Sequence, residues 1–173
     1  MITEIVKNII RFVILVLLQG LVIKHIPLGP YFIMFPYVMF ILMLPFETPN
    51  LLLLAGSFAL GLSVDMFYDT QGMHASACVL MGFSRVYVLK LIAPREGYDA
   101  SMKPTVQYMG ITWFVSYAFI LILIHHITYF YLEAFNVSEF FRTLLRVLAS
   151  SFASLVFIYI VQFLFYRNDN SRV

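Results

Sequence analysis

A chain of 173 residues that is 62% hydrophobic and 12% charged, with mean hydropathy +0.91, carries too much apolar surface and too little charge for a water-soluble domain, where about 45–50% apolar and about 25% charged is usual. Its formal charge of +2 comes from scattered Lys and Arg rather than from a basic face, which argues against nucleic acid as a partner. The single Cys78 has no second cysteine to pair with and lies in an apolar run, the setting of a buried structural thiol.

Breaks at charge and Pro/Gly clusters predict an all-α polytopic membrane protein, one domain over 1–173, with six transmembrane helices. The first span is expected at about 9–26. Leu18-Gln19-Gly20-Leu21-Val22 continues its apolar helix where a signal peptide would offer a cleavage site, so it reads as an uncleaved span. Lys24 to Pro30, with two prolines and a glycine, ends it.

A second span at about 31–46 contains Pro36 and is short for a bilayer core of about 30 Å, so it is expected to be re-entrant, irregular or shielded by its neighbours. The third and fourth are expected at about 51–68 and 73–92, joined by a turn at Gly72. A polar connector, 93–104, precedes a fifth span at about 105–127. An aromatic connector, 128–137, holds Tyr129, Tyr131, Glu133 and Asn136, residue types that favour the membrane interface. The sixth span is expected at about 140–165.

With six spans both termini share a side, which collects Lys7, Arg11, Arg95, Lys103, Arg167 and Arg172. Because cytoplasmic loops are enriched in Lys and Arg, that side is expected to be cytoplasmic.

The few polar residues inside the spans are the candidates for a role, since an ionisable group at membrane depth is costly unless paired, solvated or functional. Ser57, Gly61, Asp65 and Asp69 recur every four residues along one side of the third span. Ala75, Cys78, Gly82 and Arg85 share a face of the fourth, and Arg142, Arg146, Ser150 and Ser154 recur on the sixth. Small residues let helices approach closely in lipid, so these faces are expected to pack together in the interior.

Asp65 is expected to pair with Arg146 or Arg142. The competing readings are a solvated helix-end role for Asp69 and a local Glu139–Arg142 pair. Arg85 is expected to snorkel to the cytoplasmic boundary beside Lys90, with a buried pairing or ligand role as the alternative. His125 and His126 are adjacent, so their rings diverge on a helix, and His25 and His74 are isolated. No metal site and no catalytic constellation is expected.

The stretch Gly61 to Arg85, GLSVDMFYDTQGMHASACVLMGFSR, together with the proline-bearing first loop and short second span, resembles the rod shape-determining protein MreD family in a Bacteroidetes-like version. The resemblance rests on Gly61, Asp65 and Gly72, followed by the small-residue helix with Ala75, Ala77 and Gly82; Gly72-Met73 stands where the family commonly has Leu-Gly. It implies a non-enzymatic inner-membrane component of the cell-elongation machinery, without cofactor. Its partners would be the bitopic protein MreC and, indirectly, MreB filaments, RodA-type glycosyltransferases and class B penicillin-binding proteins.

A groove along the Ser57 to Asp69 ridge would receive the MreC helix. The family's architecture is similar to the substrate-binding components of energy-coupling-factor vitamin transporters. In that alternative, Asp65, Tyr68, Asp69 and His74 would line a ligand site. A lipid-handling protein using Arg142 and Arg146 on an anionic headgroup is the second alternative.

Overall fold

The computed structural model describes residues 2–26, 29, 31–99, 102–135 and 139–166. Helix α1, Ile2–Leu17, runs on through a π-helical turn, Leu18–Val22, and a 3-10 turn, Ile23–His25. A 3-10 turn, Pro36–Val38, leads into the one-turn helix α2, Met39–Leu42. Then come α3, Asn50–Tyr68; α4, Met73–Leu91; the one-turn α5, Val106–Met109; α6, Ile111–Ala134; and α7, Phe140–Tyr166. No strand occurs among the described residues.

Among the described residues four stretches are long and apolar enough to cross a membrane: Thr3–His25, Asn50–Tyr68, Ile111–Ala134 and Phe140–Phe165. Helix α4 matches α3 in length at 19 residues, but His74, Arg85 and Lys90 dilute its apolar character. Arg167 and Arg172, counted above in the side assignment, lie outside the described residues.

Helix boundaries follow local chemistry. Asp69 ends α3 in the left-handed region at φ 54°, and Gly72, at φ 84°, stands at the start of α4, a conformation glycine adopts without Cβ strain. The fifth span differs from expectation at both ends. Gly110, at φ 82°, separates α5 from α6, so 105–110 stays outside the long helix. The aromatic stretch expected as a connector is helical as far as Ala134, with Phe135 closing it at φ 38°; Asn136 and Val137 lie outside the described residues. An apolar helix keeps its backbone hydrogen-bonded to the point where it leaves lipid, and that need outweighs the interfacial preference of the rings.

Helix α3 packs on α4, α4 on α6, and α6 on α7, with α1 against α2 and α3. The second span is where the architecture departs most from a plain bundle. Residues 31–44 form an extended strip, one 3-10 turn and one α-turn, and every residue from Phe35 to Leu44 is buried. Pro36 explains why no regular helix forms: it lacks an N–H and pushes Phe35 out of the helical region, to φ −120° and ψ 70°.

Irregular backbone at membrane depth survives only inside protein, where its N–H and C=O groups find partners. Ser150 Oγ on α7 accepts from Ile33 N at 3.0 Å and donates to the Tyr31 carbonyl at 3.1 Å, and Ser154 Oγ accepts from Phe35 N at 3.0 Å. From α1, Gln19 Nε2 donates to the Met34 carbonyl at 3.3 Å. At the other end Arg85 donates to the Leu44 and Pro45 carbonyls at 2.5 and 3.3 Å, while Tyr117 Oη on α6 donates to the Leu42 carbonyl at 3.1 Å.

Candidate functional site

The densest group of buried polar side chains among the described residues lies at the end of the bundle where α3 turns into α4. It starts from Asp65. Both carboxylate oxygens are committed to the start of α4: Oδ1 accepts from His74 N at 3.0 Å and from Thr70 Oγ1 at 2.5 Å, and Oδ2 accepts from Ala75 N at 2.9 Å. The first N–H groups of a helix have no partner within it and carry its positive dipole end, so a buried anion there is satisfied by hydrogen bonds and field together.

The Asp65 contact with Arg146 or Arg142 is therefore not made. Arg146 Nη1 lies 2.9 Å from Glu133 Oε2, with its guanidinium over the Phe130 ring at 4.7 Å. Arg142 pairs at 3.4 Å with Glu139, the local i, i+3 contact. The N–H groups at the start of α4, nine and ten residues on in sequence, were within closer reach of the carboxylate than a guanidinium on α7.

Cα-level contact makes the cap possible. A Cβ added to Gly61 would lie 2.4 Å from Ala75 Cα and 2.5 Å from the His74 carbonyl oxygen; one added to Gly82 would lie 2.5 Å from Ser57 Oγ. The structure thus joins Ser57 to Gly82, Gly61 to Ala75, and Asp65 to the α4 start. Asp69 stays exposed as the left-handed residue after α3, and Gly72 supplies the turn. The ridge is packed against protein, as expected, but α4 of the same chain fills it, so it leaves no furrow for a partner helix.

Capping puts the His74 side chain inside. His74, Tyr37 and His125 are each 0% exposed and come from α4, the buried segment and α6. Tyr37 Oη lies 2.7 Å from His74 Nδ1 and 2.8 Å from His125 Nε2. The His74 ring stacks on Tyr129 at 4.4 Å, and Phe35 lies edge-on to His74, His125 and Tyr129.

The π-turn in α1 places Gln19 inside, where its Nε2 donates to Tyr68 Oη at 2.7 Å; π-bulges often mark positions where a helix re-aims a side chain. Lys24 Nζ closes the rim by donating to the Phe67 carbonyl. His126 turns away, with Nδ1 near the Ile122 carbonyl and Nε2 3.2 Å from Ser154 Oγ.

Arg85 belongs to the opposite end of the buried segment and does not snorkel. It is 1% exposed, and it donates from Nε to Tyr117 Oη at 2.8 Å as well as to Leu44 and Pro45. No carboxylate lies within ion-pair distance of it among the described residues. The carbonyls after α2 stand in for a counter-ion, which sequence spacing does not reveal because they come from 41 and 40 residues upstream in an irregular segment.

Sequence reasoning set aside His125 and passed over Tyr37 and Gln19. The available signal was their polarity within otherwise apolar spans. Compared with known proteins, the chain matches no family model, no curated protein and no solved structure.

Proposed function

We propose that this chain is a non-enzymatic membrane scaffold of the MreD type. In this reading it spans the bacterial inner membrane six times with both termini cytoplasmic, binds a bitopic MreC-like protein, and so organises peptidoglycan synthesis during elongation. The observation that supports it best is that the residues carrying the resemblance act as one device. Gly61 and Ala75 bring two helices to backbone contact, Gly72 turns the chain, and Asp65 caps the second helix. Ser150, Ser154, Arg85 and Tyr117 are likewise spent on holding segment 31–44.

Since α4 fills the small-residue ridge, the partner helix is assigned to α1. Of the four candidate spans its apolar window is the least covered, at 22% buried, and it presents Ile5, Ile9, Val13 and Leu21 outward. Affinity purification from the native membrane should bring down a bitopic protein, and cysteines at Ile9 or Val13 should cross-link to it. Recovery without such a partner, or cross-linking only from α7, overturns this reading.

A second reading, the substrate-binding component of a vitamin transporter, is favoured by one observation. His74 Nε2, His125 Nδ1 and Gln19 Oε1 are buried without partners among the described residues. It predicts co-purified ATPase subunits and a bound small molecule. Of the residues first assigned to such a site, Tyr68 and His74 remain available, whereas Asp65 is committed to its cap and Asp69 faces outward. Arg142 and Arg146 each face a carboxylate, which lessens their pull on an anionic lipid headgroup, the third reading.

A further inference from the structure

Counting protons along the His74–Tyr37–His125 chain leads to a binding property that is independent of the scaffold reading. A tyrosine hydroxyl has one proton to give and can accept two, and a neutral imidazole donates from one nitrogen and accepts at the other. Suppose Tyr37 donates to His74 Nδ1. The His74 proton is then on Nε2, and His125 must offer Nε2–H to the hydroxyl, which leaves its Nδ1 bare.

If instead Tyr37 donates to His125 Nε2, the proton of each ring is on Nδ1, and His74 Nε2 is the bare end. In both cases the two rings share one tautomer, and the two outer nitrogens are opposite in sense, one a donor and one an acceptor. In either state Tyr37 gives its one proton to one ring and accepts the N–H of the other. With both rings donating to Tyr37, its buried hydroxyl proton would have no hydrogen-bond acceptor among the described residues.

Those outer nitrogens, His74 Nε2 and His125 Nδ1, have no protein partner among the described residues, and both side chains are fully buried. Buried polar groups in native proteins are rarely left so. A ligand held at both ends could be neither a cation, which needs two bare nitrogens, nor an anion, which needs two N–H groups, because matched tautomers leave one of each. Consistently, no metal-binding cluster of His, Cys, Asp and Glu occurs among the described residues. A hydroxyl, which both donates and accepts, suits either end in either state.

The walls are aromatic, Phe35, Tyr129 and Tyr68, with few polar groups, the usual make-up of a small-molecule site. We propose that the chain His74–Tyr37–His125 is the recognition element of an internal site for a small neutral hydroxylic molecule, either water or the hydroxyl of an organic solute. Occupancy at one end sets the polarity of the other.

The test uses the full chain in lipid nanodiscs with 15N-labelled histidine, assigned through backbone connectivity. Both rings are expected to be neutral and in the same tautomer, with magnetisation reaching a ring N–H from water or from the C–H protons of a co-purified solute. The first source identifies water as the occupant, and the second, with the solute recovered by mass spectrometry, an organic ligand. Opposite tautomers, an imidazolium at either residue, or transfer from neither source overturns the proposal. Tyr37→Phe is expected to shift the nitrogen resonances of both rings, and unchanged spectra would equally overturn it; the wild-type spectra decide the matter even where that variant does not fold.

Discussion

Asp65 and Arg85 show two ways in which a charged side chain is kept buried inside the bundle without an ion pair. Asp65 has three donors from the turn and the start of α4, and Arg85 has two carbonyls and a hydroxyl. Replacing Asp65 by Asn removes the charge and forces an amide N–H towards backbone N–H groups, so a loss of about 1–3 kcal/mol is expected in detergent unfolding. The effects of Asp65→Asn and Arg146→Gln should add to within about 0.5 kcal/mol. Strong coupling between the two would restore the ion pair that the geometry denies.

Arg85→Lys supplies a point charge in place of a planar fork and cannot reach Leu44, Pro45 and Tyr117 together. A loss of at least about 1.5 kcal/mol is expected by the same measurement; an unaltered unfolding midpoint would mean that the fork is dispensable.

Between elements, distance decides which glycines matter. A methyl at Gly61 meets α4 backbone at 2.4 Å, whereas a methyl at Gly56 meets only the Phe40 ring at 3.6 Å. Overpacking against backbone has no flexible neighbour to absorb it, so Gly61→Ala is expected to cost about 1–3 kcal/mol and Gly56→Ala close to nothing. Equal thermal stability of the two variants would contradict the close α3–α4 contact.

The buried segment depends in the same way on α7. Ser150→Ala and Ser154→Ala leave the Ile33 and Phe35 N–H groups buried without partners. Each substitution should raise hydrogen exchange at the matching amide at least tenfold, as expected when an unmade bond favours local opening by about 1.4 kcal/mol. Unchanged protection would show that the strip is held by other groups.

For the molecule as a whole, antiparallel packing sets Lys7, Glu47 and Arg95 at one end of the bundle and Asp69 and Phe135 at the other. Six crossings require segment 31–44 and α4 both to traverse the bilayer, one as buried irregular chain and the other as a helix diluted by polar residues. In a Cys78→Ala background, single cysteines at Lys7, Glu47 and Arg95 should label from one face of the membrane, the cytoplasmic one under the proposed topology, and those at Asp69 and Phe135 from the opposite face. Labelling of Glu47 and Asp69 from one side would remove α3 as a crossing and with it the six-span topology.

Composition and the spacing of apolar runs were enough to read helices in lipid, the α3 and α4 boundaries within a residue, and the close approach of Gly61 and Gly82 to protein. Each of these follows from local propensity or from helical periodicity. The unusual second span was legible too, because Pro36 and a run too short for the bilayer act through neighbouring residues alone.

Tertiary structure alone decided the partners of the buried polar groups. Asp65 chose a helix start over a guanidinium, Arg85 chose carbonyls of an irregular strand, and Tyr37 met two histidines on different helices. At membrane depth no water is available to satisfy such groups, so each takes the nearest donor or acceptor that three-dimensional packing supplies, and sequence spacing carries no record of that distance.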